Sequence, residues 1–165
     1  MKFIIKLFNL IFILTISGCG FHLRGSGIEG IPPIYIDNNA VFEINREIER
    51  LLRLSNSPPI KNREHAKLIL EITNEEYQRL PLSISRFLLV QEYELIYTVN
   101  FQINDINGQA LTSPQSLSLR RDYSFADTNQ ILGKNNEEML LRQELLKDAA
   151  RQILNQIINL ITPNT

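Results

Sequence analysis

The chain has 165 residues, 44% hydrophobic and 21% charged, the make-up of one folded domain with a short leader rather than of a disordered protein. Seventeen basic against eighteen acidic side chains give a net charge of −1, so no overall positive field points to nucleic acid. One cysteine excludes an intrachain disulfide and any Cys-x-x-Cys redox or metal site, and two histidines, His22 and His65, leave almost nothing for a metal centre or a histidine-based triad.

Residues 1–18 read as a signal peptide. Lys2 and Lys6 form a positive start, and Leu7 to Ile16 is an apolar stretch of the length such signals use. A spanning helix needs about 20 apolar residues, and Lys6 and Asn9 interrupt any longer count. Ile16-Ser17-Gly18-Cys19 then has the form of a bacterial lipobox: an aliphatic residue, two small residues and a cysteine. Only a thiol takes a diacylglyceryl thioether, and small neighbours fit a peptidase cleft. Cys19 is therefore the expected lipid attachment site, carrying diacylglycerol on sulfur and an acyl chain on the new amine. One acyl chain binds membranes marginally, at about 0.8 kcal/mol per buried CH₂; three make a lasting anchor. Gly20, in place of the aspartate associated with inner-membrane retention, favours the outer membrane, facing the periplasm. Loss of the leader removes Lys2 and Lys6 and leaves 15 basic against 18 acidic residues. Residues 19–33, GFHLRGSGIEGIPP after the cysteine, read as a tether.

The folded domain is expected over 34–162. IYID at 34–37 is a short strand, followed by Asn38-Asn39 as a cap signal. Val41 to Leu54 has helical periodicity: Val41, Ile44, Ile48, Leu51 and Leu52 share one face, and Glu43, Arg46, Glu47, Glu49, Arg50 and Arg53 are expected to face water. Ser57-Pro58-Pro59 stops it. Ala66 to Thr73 alternates, with Leu68, Leu70 and Ile72 on one face, and extended character continues towards Ile84. Glu92 to Asn104 is the clearest strand, with Tyr93, Leu95, Tyr97, Val99, Phe101 and Ile103 at period two. Asn107-Gly108 is a hairpin turn signal, and a further strand is expected from about Ser116 to Phe125. Residues 129–136 read as a loop. The second helix is expected from Glu137 to about Ile161, capped by Asn135 or Asn136, with a core stripe of Leu146, Ala150, Ile153, Ile157 and Leu160 and with Met139 at its start. The fold class is thus α/β (α+β): a two-layer sandwich with two helices on one face of a mixed four-stranded sheet, the first strand–helix–strand unit forming a parallel pair.

No catalytic constellation is present, so an enzyme is not expected. A nucleophile needs a base, and neither histidine sits in a motif. Glu75 and Glu76 point to opposite faces if they lie in a strand, and Glu137-Glu138 is accounted for by the dipole of a helix start. GSGIEG follows no strand and matches a phosphate loop only loosely. Anion binding is the one polar possibility. Arg86 lies between two extended segments, Lys134 lies ahead of a helix N-terminus, and Arg120 and Arg121 add charge nearby in sequence. Together they could hold a phosphate-bearing ligand; apart, they are ordinary surface charge.

SGCGFHLRG resembles the lipobox and first mature residues of the LPS-assembly lipoprotein LptE family. EYELIYTVNFQI is similar to its central strand, and FADTNQILGKNNEEMLLRQELLKDAARQIL to its last loop and helix. The resemblance implies an outer-membrane lipoprotein that plugs and helps assemble the LptD β-barrel and binds lipopolysaccharide for insertion at the outer leaflet. It further implies lipopolysaccharide contacts at Arg86, before the EYEL strand, and at Lys134, before NEE. Phe87-Leu88-Leu89 departs from a more polar turn in the family. No cofactor is implied beyond the acyl groups on Cys19. The alternative is an outer-membrane lipoprotein that scaffolds another envelope complex, such as barrel assembly; a lipid-tethered periplasmic hydrolase is a third.

Overall fold

The computed structural model describes residues 30–37, 42–84, 86, 90–124 and 131–162, with side chains in the last helix from residue 137 onward. Cys19, His22, Asn38-Asn39 and Phe87-Leu88-Leu89 lie outside the described residues. In chain order the elements are β1 (Ile34–Asp37), α1 (Glu43–Leu54), β2 (Leu68–Ile84), β3 (Val90–Asn104), β4 (Gln115–Ser124) and α2 (Ile131–Ile161), with a short 3₁₀ turn, Arg63–His65, before β2. The sheet order is β1-β2-β3-β4. β1 runs parallel to β2 in the register Ile34↔Leu68, as expected for a strand–helix–strand unit. The β2–β3 and β3–β4 pairs are antiparallel.

Both helices cover one face. From the sheet, Ile34, Ile36, Leu68, Leu70, Ile72, Leu95, Tyr97, Val99, Phe101 and Ile103 enter a core shared with Ile44, Ile48, Leu51 and Leu52 of α1. α2 adds Leu145, Ala149, Ala150, Ile153, Leu154 and Ile157. The β3 alternation is read out directly, because period two puts one parity against the helices.

Three expectations need correction. Glu47 does not face water: it is 9% exposed, and Arg50 folds over it, donating Nε–H to Oε2 at 2.8 Å. Asn45 is buried beside it, so the covered face of α1 is wider than its apolar stripe. The α2 stripe is wider and shorter than expected: Ala150, Ile153 and Ile157 are fully buried as expected and are joined by Leu145, Ala149 and Leu154, whereas Leu160 and Met139 are 41% and 52% exposed. α2 also begins at Ile131, not Glu137. Asn135 and Asn136 have cap chemistry, but no proline and only one glycine interrupt 131–136, and propagation of an existing helix prevails.

A bulge between Ile72 and Asn74 changes what β2 offers the helices. Before it, Leu68, Leu70 and Ile72 face the core; after it, Glu75, Tyr77 and Arg79 take that side, in register with Val99, Tyr97 and Leu95. The reverse side of the sheet is polar. Across β2–β3–β4 its rows read Asn74–Asn100–Ser116, Glu76–Thr98–Ser118, Gln78–Ile96–Arg120 and Leu80–Glu94–Asp122. α1 ends where Asn56 adopts a left-handed conformation (φ 54°) and Ser57 N–H donates to Leu52 O, two residues before the prolines.

Candidate functional site

Beyond Ile72 the helix-facing side of β2 turns from apolar to polar, opposite the buried Val99, Tyr97 and Leu95 of β3, and one carboxylate organises it. Glu138, in the second turn of α2, accepts hydrogen bonds from Arg79 (2.8 Å), Tyr123 (2.9 Å) and Tyr77 (3.2 Å). The rings of Tyr93 and Tyr123 stack at 5.6 Å. The Arg79 guanidinium sits over Tyr93 at 4.7 Å, and Arg142 sits over Tyr77 at 5.0 Å while reaching Glu43 of α1 at 3.0 Å. Below this, Tyr97 donates its hydroxyl to Glu75, whose other oxygen accepts the Ile44 N–H at 3.4 Å. Glu75 thereby serves the start of α1, where Phe42 has no side chain able to cap.

These contacts shift the titration of the groups that make them. Burial raises the Tyr77 hydroxyl to about 12, aided by the charge of Glu138. Burial and then its bond to Glu138 raise Tyr123 to about 12. Burial, followed by its bond to Glu75, also pushes Tyr97 up. Burial alone would raise Glu138, but the hydrogen bonds from Arg79 and Tyr123 outweigh it and hold the carboxyl below its ordinary value. A cavity of about 270 Å³, lined by Tyr77, Glu138, Met139 and Arg142, opens beside this cluster.

Of the residues singled out from sequence, Cys19 lies outside the described residues. Arg86 is exposed in the β2–β3 connection. Lys134 lies in the first turn of α2 rather than ahead of the helix, a consequence of the earlier start at Ile131. Topology puts both at the end of the domain reached by the β2–β3 hairpin and by the start of α2. Arg120 and Arg121 do not join them. They point to opposite faces of β4, and each has its own carboxylate: Arg120 pairs with Glu94 at 3.4 Å and Arg121 with Asp148 at 2.8 Å. His65 is exposed in the 3₁₀ turn. The Glu138 cluster escaped the sequence reading, which explained Glu138 by the helix dipole; the only available signal was the tyrosine and arginine content of three strands, and the bulge that aligns it was not visible.

Among the described residues no group of three or more His, Cys, Asp or Glu side chains is placed to hold a metal, and no helix is long and apolar enough to cross a membrane. The described domain is thus a two-layer α+β sandwich, two helices on one face of a mixed four-stranded sheet, whose polar end is built for hydrogen bonding and stacking. A sequence model of the LptE lipopolysaccharide-assembly family matches residues 31–157, and the chain belongs to that family. It is 26% identical over 150 residues to the LPS-assembly lipoprotein LptE of Photorhabdus laumondii, covering 88% of this chain and 80% of that protein. Its identity to the LptE of Yersinia enterocolitica is 28% over 152 residues, covering 88% and 71%. A lipoprotein B from Nitrosomonas europaea, solved in solution, superposes with a TM-score of 0.72 at 32% identity, covering 84% of this chain and 90% of that one. The rare lipoprotein B of Shewanella oneidensis superposes with a TM-score of 0.64 at 29% identity, covering 76% and 93%. Family membership gives the protein a role in lipopolysaccharide assembly.

Proposed function

We propose that this protein is the lipid-anchored subunit of the outer-membrane lipopolysaccharide translocon, attached through Cys19, seated in the LptD β-barrel and binding lipopolysaccharide without catalysing a reaction. The family match across residues 31–157 carries the reading. The physical fit supports it: a plug needs a compact domain, a tether and polar outer surfaces, and the Cys19 lipobox and the polar reverse face of the sheet supply the last two. Lipopolysaccharide presents phosphates and acyl chains. Arg86 and Lys134 offer cations at one end of the domain, where Leu82, Ile84 and Leu140 are also exposed.

Co-purification tests the assembly: the lipidated protein should bring down the barrel subunit, and its absence would remove the translocon reading. Arg86→Asp with Lys134→Asp should weaken lipopolysaccharide binding with the circular dichroism unchanged; full binding by the folded double variant takes these two residues out of the site. Cys19→Ala should abolish palmitate labelling, and persistent labelling would show that the acceptor is another residue.

A further inference from the structure

The exposed large apolar side chains of the described residues gather at the two ends of the domain. Leu80, Leu82, Ile84, Met139 and Leu140 lie at the hairpin end; Leu54, Ile106, Leu111 and Leu160 lie at the other, where β1 begins, both helices finish and β3 turns into β4. The chain enters the domain at this second, tether end. Ile60 N–H donates to Ile34 O and Lys67 N–H to Pro33 O, both at 2.8 Å, so residues 58–67 hold the entry to β1 in place. The same stretch brings cations. Arg53, Lys61, Arg63 and Lys67 are all exposed here, against Glu64, Asp105 and Glu49, which pairs with Arg53 at 3.2 Å. The Asp105 carboxylate is turned into its own loop, accepting from the Asn107 and Gln109 N–H groups at 2.9 and 2.7 Å. A cavity of about 370 Å³ opens at this end, lined by Tyr35, Glu49, Arg53, Lys61 and the Pro58–Ile60 segment.

We propose that the tether end is a membrane-contact surface for anionic phospholipid. Arg53 and Lys61 take a phosphodiester headgroup at the mouth of the cavity, Arg63 and Lys67 meet neighbouring headgroups, and Leu54 and Ile106 enter the first carbons of the acyl layer. The proposal rests on the lipid anchor at Cys19 and on no other part of the translocon reading. Reach and charge select this occupant. Eleven residues separate Cys19 from Gly30, at most about 40 Å of chain, so an acylated Cys19 holds the tether end within that distance of the leaflet. The hairpin end stands a further length of β3 away, about 50 Å for its 15 residues. The mature chain has an acidic excess, 15 basic against 18 acidic residues, yet the end nearest the anchor presents four exposed cations beside exposed leucine and isoleucine. Basic side chains are drawn to an anionic surface, and apolar ones beside them gain by leaving water for the interface. Lipopolysaccharide, the other phosphate-bearing molecule, is assigned to the opposite end with Arg86 and Lys134. The contact stands the domain on the leaflet with the hairpin end directed away from it.

The test uses the full-length lipidated protein in vesicles of phosphatidylcholine, with and without phosphatidylglycerol. Cys19 is the only cysteine, so once its sulfur is acylated a fluorophore can be placed selectively through Asn62→Cys at the tether end or Glu92→Cys at the hairpin end. A lipid spin-labelled at the headgroup then quenches whichever end lies on the membrane. With phosphatidylglycerol present, quenching should be at least about threefold stronger at residue 62 than at residue 92. Arg53→Glu with Lys61→Glu should abolish that difference and leave circular dichroism, vesicle flotation and lipopolysaccharide binding unchanged. Equal quenching at the two ends overturns the proposal, as does a difference that persists in the folded charge-reversed variant or without phosphatidylglycerol. Loss of lipopolysaccharide binding in that variant with quenching intact overturns it too, by giving the cations to the glycolipid. If residue 62 stays unquenched by lipid and becomes shielded from a water-soluble quencher when the barrel subunit is added, the surface belongs to protein and the proposal is wrong. Should the double variant misfold, salt decides: at about 1 M, where charges act over about 3 Å, quenching at residue 62 of the otherwise unaltered protein should fall, and full quenching there refutes the headgroup contacts. Failure to float with vesicles or to take palmitate ends the anchor reading and this proposal with it, whereas flotation without an end preference ends the proposal alone.

Discussion

Replacing Glu138 by alanine is the sharpest test of how the polar end of the domain is held. The substitution removes one acceptor and strands three donors: the Arg79 guanidinium, the Tyr123 hydroxyl and the Tyr77 hydroxyl. Arg79 is 46% exposed, so solvent screens its ion pair, which contributes about 0.5–1 kcal/mol. Each tyrosine bond to the carboxylate contributes about 1 kcal/mol. Alanine returns a few tenths through helix propensity, and the three bonds share one acceptor, so the expected loss is about 2 kcal/mol rather than their full sum. In urea, with a slope of about 2 kcal/mol per molar, the unfolding midpoint should fall by about 1 M. Glu138→Gln keeps the shape and one acceptor oxygen, and should lose about half as much. A double cycle with Tyr123→Phe should show coupling of at least about 0.5 kcal/mol. If Glu138→Ala stays within about 0.5 kcal/mol of the parent, the cluster is surface decoration and the reasoning fails.

The same groups set the pH response. Glu138, held below its ordinary value, contributes stability above about pH 4.3 that is lost as the pH falls through its lower folded value. Tyr77 and Tyr123, raised to about 12, contribute stability that is complete below about pH 10 and lost as the pH climbs towards 12. Thermal midpoints should be flat between these limits, with both shoulders blunted in Glu138→Ala; shoulders unchanged in that variant would contradict the assignment. Leu145→Ala, at a fully buried position of α2, should cost about 2–5 kcal/mol, and a smaller loss in chemical denaturation would mean the helix packs differently. Gly108 has φ +81° in the turn after β3, so Gly108→Ala should cost about 1 kcal/mol through backbone strain although the added methyl has room; an unchanged midpoint would deny the left-handed conformation.

What sequence revealed here depended on whether one element alone carried the pattern. β3 was legible almost residue by residue because it is the paired, central strand and its alternation is unbroken from Tyr93 to Ile103. β2 was legible only as far as Ile72. The bulge after it adds one residue without any glycine or proline to mark it, so the parity that places Glu75, Tyr77 and Arg79 against the helices had no local sign. Glu47 misled for a related reason: its burial follows from Arg50 three residues on lying across it, a pairing that a hydrophobicity wheel scores as two solvent-facing charges. The Glu138 cluster joins three strands to a helix 15 to 61 residues away, and nothing in the sequence announces such a meeting.

The distribution of these contacts along α2 has a consequence for how the domain yields. From Leu145 to Ile157 the helix is bound by apolar burial, which is non-directional and shared among many neighbours. From Glu138 to Arg142 it is bound by a few directional bonds, with Met139 and Leu140 exposed between them. β2 mirrors this, because none of its residues beyond Ile72 is fully buried. The two halves of the domain therefore differ in the free energy of local opening, and the polar half is the lower. That half carries Arg86 and the start of α2, so the end proposed to meet lipopolysaccharide is also the end that can rearrange while the core below it stays folded. Hydrogen exchange should follow the same boundary: amides of β2 beyond Ile72 should exchange faster than those of Leu68 to Ile72, and Glu138→Ala should accelerate the first group only. Equal protection along the whole of β2 would show that the helix holds both halves alike.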